Sequence, residues 1–116
     1  QPTSIYVIAS NFTANTHVYS RSLQLAKVDA EVTEHGEQTL INAIEADDIE
    51  LIQKEVSRIV SKVPEGALFL WGCTHFSLVK NVFNEEMNKQ NKMNLVVDPA
   101  LELANIVILR LQNLQN

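Results

Sequence analysis

Apolar and polar positions fall into blocks along this chain, and the blocks change period at definable points. Ser4-Ile5-Tyr6-Val7-Ile8-Ala9-Ser10 is an apolar, β-branched run that predicts a buried strand. Asn11 and Thr13 follow as turn and capping residues, and a helix of modest periodicity (Val18, Ser22, Leu25) is expected over 14–25. Val28, Ala30 and Val32 alternate with Asp29, Glu31 and Thr33, the pattern of a half-exposed edge strand. Glu34-His35-Gly36 breaks that pattern as a loop, and residues 38–46 are compatible with a helix. Asp47-Asp48 then offers capping acids to a helix with Ile49, Ile52, Val56, Ile59, Val60 and Val63 on one face. Pro64-Glu65-Gly66 ends it as a turn.

The next stretch organises the rest. Ala67-Leu68-Phe69-Leu70-Trp71 is an unbroken apolar run, which marks a strand covered on both faces. Phe76, Val79, Val82, Phe83 and Met87 then recur at helical spacing. Gly72-Cys73-Thr74 lies between them as a tight strand-to-helix turn. A further strand is expected over 94–97, then Asp98 as cap and Pro99 as first residue of a helix over 100–114. That last helix is apolar on more than one side, so it calls for cover from a neighbouring domain or subunit, a homodimer included.

Alternating strands and helices imply parallel β-α units with right-handed crossovers. The expected fold is α/β: an open, mainly parallel four-stranded sheet flanked by helices, a flavodoxin- or Rossmann-like three-layer sandwich. The 116 residues, 46% hydrophobic, suffice for one domain, 1–116, but not for two. A net charge of −5 without basic runs or an aromatic stacking series argues against nucleic acid and an anionic membrane surface as partners. No apolar stretch is long enough to span a bilayer. Gln1-Pro2-Thr3-Ser4 lacks the features of a signal peptide and reads like the start of an excised piece. A single cysteine excludes an internal disulfide and suits a reducing cytoplasm.

That cysteine, Cys73, sits at the turn where an open parallel sheet presents its carboxyl edge, the edge at which ligands bind. A lone cysteine is most often a small buried hydrophobe. At a helix start, however, the macrodipole and free backbone N–H groups favour the thiolate, which is a nucleophile or a base. No second cysteine or suitably spaced histidine pair points to a metal. His75 is either an acid or orienting partner of the thiolate or a solvent-facing residue of the first turn. Thr74 either caps the helix or holds a carboxylate. Ser10 and Thr13 take the matching place after the first strand, with the same two readings. Glu34, His35 and Glu45, taken singly, read as solvated surface.

Gly72-Cys73-Thr74-His75-Phe76 after an apolar strand resembles the motif around one of the two active-site cysteines of bacterial glutamate racemases, in the aspartate/glutamate racemase superfamily. Ala9-Ser10-Asn11-Phe12-Thr13-Ala14-Asn15-Thr16-His17-Val18-Tyr19 is similar to that family's Gly-Thr-x-x-Thr-x-x-Ser-x-x-Tyr segment. Asn42-Ala43-Ile44-Glu45 resembles the region that supplies a pocket-side glutamate, and Val96-Val97-Asp98-Pro99-Ala100 the closing segment. The resemblance covers nearly all of this chain, but only the second half of a whole racemase.

It implies cofactor-independent racemisation by two bases, one on each face of glutamate, supplying D-glutamate for peptidoglycan in the bacterial cytoplasm. Carried over, Cys73 is a catalytic acid–base and His75 supports its proton chemistry. Thr74, Thr13, Ser10 and Glu45 face the substrate, and Tyr19 packs. The family's first half, which carries the second cysteine, is the implied missing partner. Departures are visible as well: Ser77 stands where the family has proline, Ala9-Ser10 replaces Gly-Thr, and Glu34-His35-Gly36 lies near a usual Cys-Pro pair. An aspartate or broad-specificity racemase, a non-catalytic binding domain on the same fold, and a thiol hydrolase are the competing readings.

Overall fold

The computed structural model describes residues 3–99 and 112–113. Strand β1 (Thr3–Ala9) is followed by helices α1 (Asn11–Thr16) and α2 (Val18–Leu25), then by β2 (Ala30–Gly36). Helices α3 (Gln38–Glu45) and α4 (Ile49–Lys62) lead to β3 (Leu68–Trp71). A 3-10 turn (Thr74–Val79) runs into α5 (Lys80–Lys89), and β4 (Val96–Val97) completes the sheet. The strand order is β2-β1-β3-β4 with every pairing parallel, the expected α/β sandwich.

The register explains which side chains share a face. Ile5 lies beside Val32 and Leu68, and Tyr6 beside Thr33 and Phe69. Tyr6, Ile8, Phe69 and Trp71 therefore point one way, into a core filled by α3, α4 and α5. On α4 the buried residues Ile52, Val56, Ile59 and Val60 repeat at helical spacing, while Asp48 caps the first turn by accepting from the Leu51 N–H at 3.2 Å. Ile49, expected on the same face, is 63% exposed. It stands one residue past the cap, before the helix has turned onto the sheet. α2 lies over the opposite face, near Ala30 and Val32. Val7, Ile8 and Ala9 in the central strand have no exposure at all.

Three expectations need correction. Glu34-His35-Gly36 is not a loop but the end of β2, paired with Val7, Ile8 and Ala9. The backbone of the buried strand β1 needs hydrogen-bond partners on its outer side, and that demand outweighs the polar character of the three residues. The first helix is not continuous over 14–25. It starts at Asn11, capped by Ser10, and breaks at His17, which adopts the left-handed conformation (φ 55°) before α2 begins. The α-helix expected after Cys73 opens instead as a 3-10 turn. The strand expected over 94–97 is ordered as β4 at Val96–Val97, and Pro99 is helical. Apart from residues 112–113, the apolar helix expected over 100–114 lies outside the described residues. No described helix is long and apolar enough to cross a membrane.

Candidate active site

From β1 the chain passes to one side to form β2, and later returns to β1's other side to form β3. Strand order thus reverses between β1 and β3, and a crevice opens beyond their carboxyl ends. Ser10 follows the end of β1 and Cys73 follows the end of β3 by two residues, so both lie on that edge.

The turn carrying Cys73 is held by aromatic side chains on either side of it. Trp71 before it and Phe76 after it are both buried, and both rings contact Phe83 of α5, with centroids 4.8 and 6.3 Å away. Cys73 itself is half-buried and takes the cap position of the 3-10 turn in an extended conformation, with no side-chain capping bond. Its sulfur is free for other work. Sγ lies 3.4 Å from His75 Nδ1, and His75 Nε2 lies 2.9 Å from Glu45 Oε1. An ionised carboxylate only accepts hydrogen bonds, so the imidazole carries its proton on Nε2. Nδ1 then accepts from the thiol, or, when the ring is doubly protonated, donates to the thiolate. Either way a proton can pass between sulfur and imidazole while Glu45 fixes the ring.

Glu45 is the last residue of α3, where a carboxylate meets the negative end of the helix dipole. Its bond to His75 offsets that local cost. Glu45 is 61% exposed and His75 34%, so screening keeps the pair's contribution to stability small. Its consequence is orientation rather than stability.

A cavity of about 200 Å³ opens beside the thiol, lined by Tyr19, Trp71, Gly72, Cys73, Thr74 and Pro99. Thr74 is exposed on its wall and does not cap the turn, since Cys73 holds that position. Ser10 and Thr13 are not in the lining. The Ser10 hydroxyl accepts from the Thr13 N–H at 3.1 Å and donates to Thr13 Oγ1 at 3.0 Å, so the two are spent on capping α1. Among the described residues, no group of three or more His, Cys, Asp or Glu is arranged to hold a metal ion.

With the geometry in place, comparison with known proteins gives a consistent answer. The chain is 26% identical over 106 residues to glutamate racemase of Lactobacillus acidophilus, covering 87% of this chain and 38% of that protein. Against glutamate racemase of Fusobacterium nucleatum it is 29% identical over 114 residues, covering 96% of this chain and 41% of that protein. The Lactobacillus helveticus glutamate racemase matches at 28% over 103 residues, with 86% and 38% covered. This chain is a distant relative of the glutamate racemases. It spans about two fifths of the length of these curated relatives. No family model matches it, and no solved structure matches it.

Against the racemase resemblance, the structure puts Cys73 and Thr74 on the cavity, sets His75 against the sulfur with Glu45 behind it and outside the lining, and leaves Ser10 and Thr13 engaged with each other. Two residues at or behind the site escaped the sequence reading. Tyr19, expected to pack, lines the cavity and places its hydroxyl 3.3 Å from the Gly72 carbonyl. Glu34, expected on the surface, has a fully buried side chain that accepts from the Tyr19 N–H at 3.2 Å and the Ser20 hydroxyl at 2.7 Å. Position 34 lies two residues beyond Val32, so in a strand both face the same way. That spacing is the available signal, and the polar run at 34–36 masks it.

Proposed function

We propose that this chain supplies one half of a cofactor-independent amino-acid racemase site whose substrate is glutamate. The observation that carries the reading is the Glu45–His75–Cys73 series of contacts opening on a cavity at the sheet's switch point. In this reading Cys73 as thiolate removes the α-proton from one enantiomer, and as thiol returns a proton to the other. His75 exchanges the proton with sulfur and, when protonated, stabilises the thiolate beside it. Glu45 holds the imidazole with Nδ1 turned to sulfur. Thr74, on the cavity wall, supplies a hydroxyl and a backbone N–H to a substrate carboxylate.

Inversion at Cα needs a proton acceptor on one face and a donor on the other. The chain has one cysteine, so the opposing group comes from a partner domain corresponding to the other part of a whole racemase. The chain then corresponds to the C-terminal half of such an enzyme, working in the bacterial cytoplasm to supply D-glutamate for peptidoglycan. Ser10 and Thr13 take no part in substrate binding unless the α1 cap opens.

The test is circular dichroism of L- and D-glutamate incubated with the chain alone and together with an N-terminal racemase domain. No turnover is expected alone, with turnover on complementation that Cys73→Ala abolishes. Racemisation by the isolated chain would overturn the half-site reading. Complemented turnover that survives Cys73→Ala would remove Cys73 from the chemistry.

A further inference from the structure

Gly72 is gripped from both sides, through the peptide before it and the peptide after it. On one side the Gly72 N–H donates to the Ile8 carbonyl at 2.7 Å, and on the other the Gly72 carbonyl accepts from the Tyr19 hydroxyl at 3.3 Å. The Tyr19 ring also takes the space that a side chain at position 72 would need. A Cβ there would lie 3.0 Å from Tyr19 Cε2, 3.1 Å from its hydroxyl and 2.9 Å from the Ile8 carbonyl oxygen. Glycine is required by this close approach, and its lack of a side chain also leaves the peptide free to rotate unless something holds it.

Tyr19 is itself fixed. His17 starts α2 without a side-chain cap, and the Glu34 carboxylate replaces one by accepting from the Tyr19 and Ser20 N–H groups at 3.2 and 3.4 Å. A buried negative charge at the start of a helix satisfies free donors and suits the dipole. The phenol is pushed above its ordinary value, first by burial and then by the charges of Cys73 and Glu34, so phenol and thiol sense each other.

We propose that Tyr19 is a positioning residue for Cys73: its hydroxyl fixes the plane of the Gly72–Cys73 peptide and so aims Sγ at the His75 imidazole. The inference rests on the reading of Cys73 and His75 as the acid–base pair, and adds the residue that sets their approach. With the Gly72 carbonyl released, the peptide plane can rotate and carry the Cys73 Cβ with it. A sulfur–nitrogen contact of 3.4 Å does not survive such a swing.

Cys73 is the only thiol of the chain, so alkylation by iodoacetamide followed by mass spectrometry reads this site alone. Tyr19→Phe keeps the ring and removes one hydrogen bond; alkylation at neutral pH is expected to slow by about 3- to 10-fold. His75→Ala slows it too. In the His75→Ala background Tyr19→Phe is expected to have no further effect, because the hydroxyl acts through that contact. If His75→Ala is slow but Tyr19→Phe reacts at the wild-type rate, the positioning role fails and the acid–base pair stands. If His75→Ala reacts at the wild-type rate, the pair fails and the role of Tyr19 with it. Equal slowing by Tyr19→Phe in both backgrounds overturns the proposal in favour of general support. Should Tyr19→Phe not fold, near-UV absorbance titration of Cys73→Ala decides. Removing the thiolate is expected to lower the pH at which Tyr19 ionises while Tyr6 stays put, and an unchanged Tyr19 transition overturns the proposal.

Discussion

Two chain segments leave the same edge of the sheet and do opposite things with their polar groups. After β1, Ser10 and Thr13 turn inward on each other, hydroxyl to N–H and hydroxyl to hydroxyl, and close the start of α1. After β3, Cys73 occupies the equivalent cap position, makes no capping bond, and faces His75 and a cavity. A hydroxyl is a good cap because it accepts strongly from N–H, and a thiol is a poor one for the converse reason. Serine at the first position therefore contributes stability. Cysteine at the second leaves backbone donors without a side-chain acceptor and keeps its sulfur available. One helix start spends its side chains on the fold, and the other leaves a thiol facing a histidine and a cavity.

The comparison breaks most decisively at Phe83, which lies far from Ser10 in sequence and beneath the Cys73 turn. Its ring contacts Phe69, Trp71 and Phe76, so it ties both anchors of that turn to the core. Phe83→Ala is expected to cost about 3–5 kcal/mol in chemical denaturation. In protein that remains folded, Cys73 alkylation should slow and lose its dependence on His75, because the turn no longer holds the two side chains together. A loss below about 1 kcal/mol would show that the turn does not depend on this ring.

The next effect is smaller and tests the contrast directly. Ser10→Ala removes the α1 cap and is expected to destabilise by about 1 kcal/mol. Cys73→Ala is expected to change stability by about 0.5 kcal/mol or less, since the sulfur caps no backbone N–H and its contact with His75 is a weak thiol hydrogen bond. Equal losses from both substitutions, measured by urea unfolding, would mean that the two helix starts are not divided as described.

The sheet was legible in the sequence because its strands carry their own signal. The runs around Val7 and Phe69 are apolar on successive residues, as central strands must be, and the α4 stripe has unambiguous helical spacing. The Cys73 turn was legible as a change of period. The end of β2 was not, because Glu34 and His35 join the strand for reasons that lie elsewhere. Glu34 is drawn in by the free N–H groups of α2, and His35 by the Tyr6 ring stacked on it at 4.0 Å. Glu45 was readable only through the racemase resemblance, since nothing in its local pattern announces a histidine 30 residues away. Tyr19 ends that resembling segment, but its hydroxyl's target sits 53 residues on. Local sequence carries periodicity; it does not carry tertiary partners.

The smallest effect separates two of the three histidines, His35 and His75. His75 belongs to the Cys73 turn, whereas His35 lies on the core face of β2 against Tyr6, with Nε2 3.0 Å from Thr33 Oγ1. The His35 imidazole is held below its ordinary value, first by burial, with the Lys62 charge adding to the effect and Glu37 opposing it. Folding thus disfavours its protonated form. Below about pH 6.5, the ordinary imidazole value, the unfolded chain binds the proton more readily than the folded one. Stability from this group is therefore fully present above that pH and declines as the pH falls through the folded value. His35→Phe keeps a ring against Tyr6 and removes the titration, so the stability of the variant should fall less steeply over that acidic window. Its Cys73 alkylation should match the wild type, because the sulfur contacts His75 and not His35. A variant whose thiol reactivity moved while its stability curve did not would assign the two histidines the other way round. The Cys73 turn would then be coupled to the buried face of the sheet rather than to its edge alone.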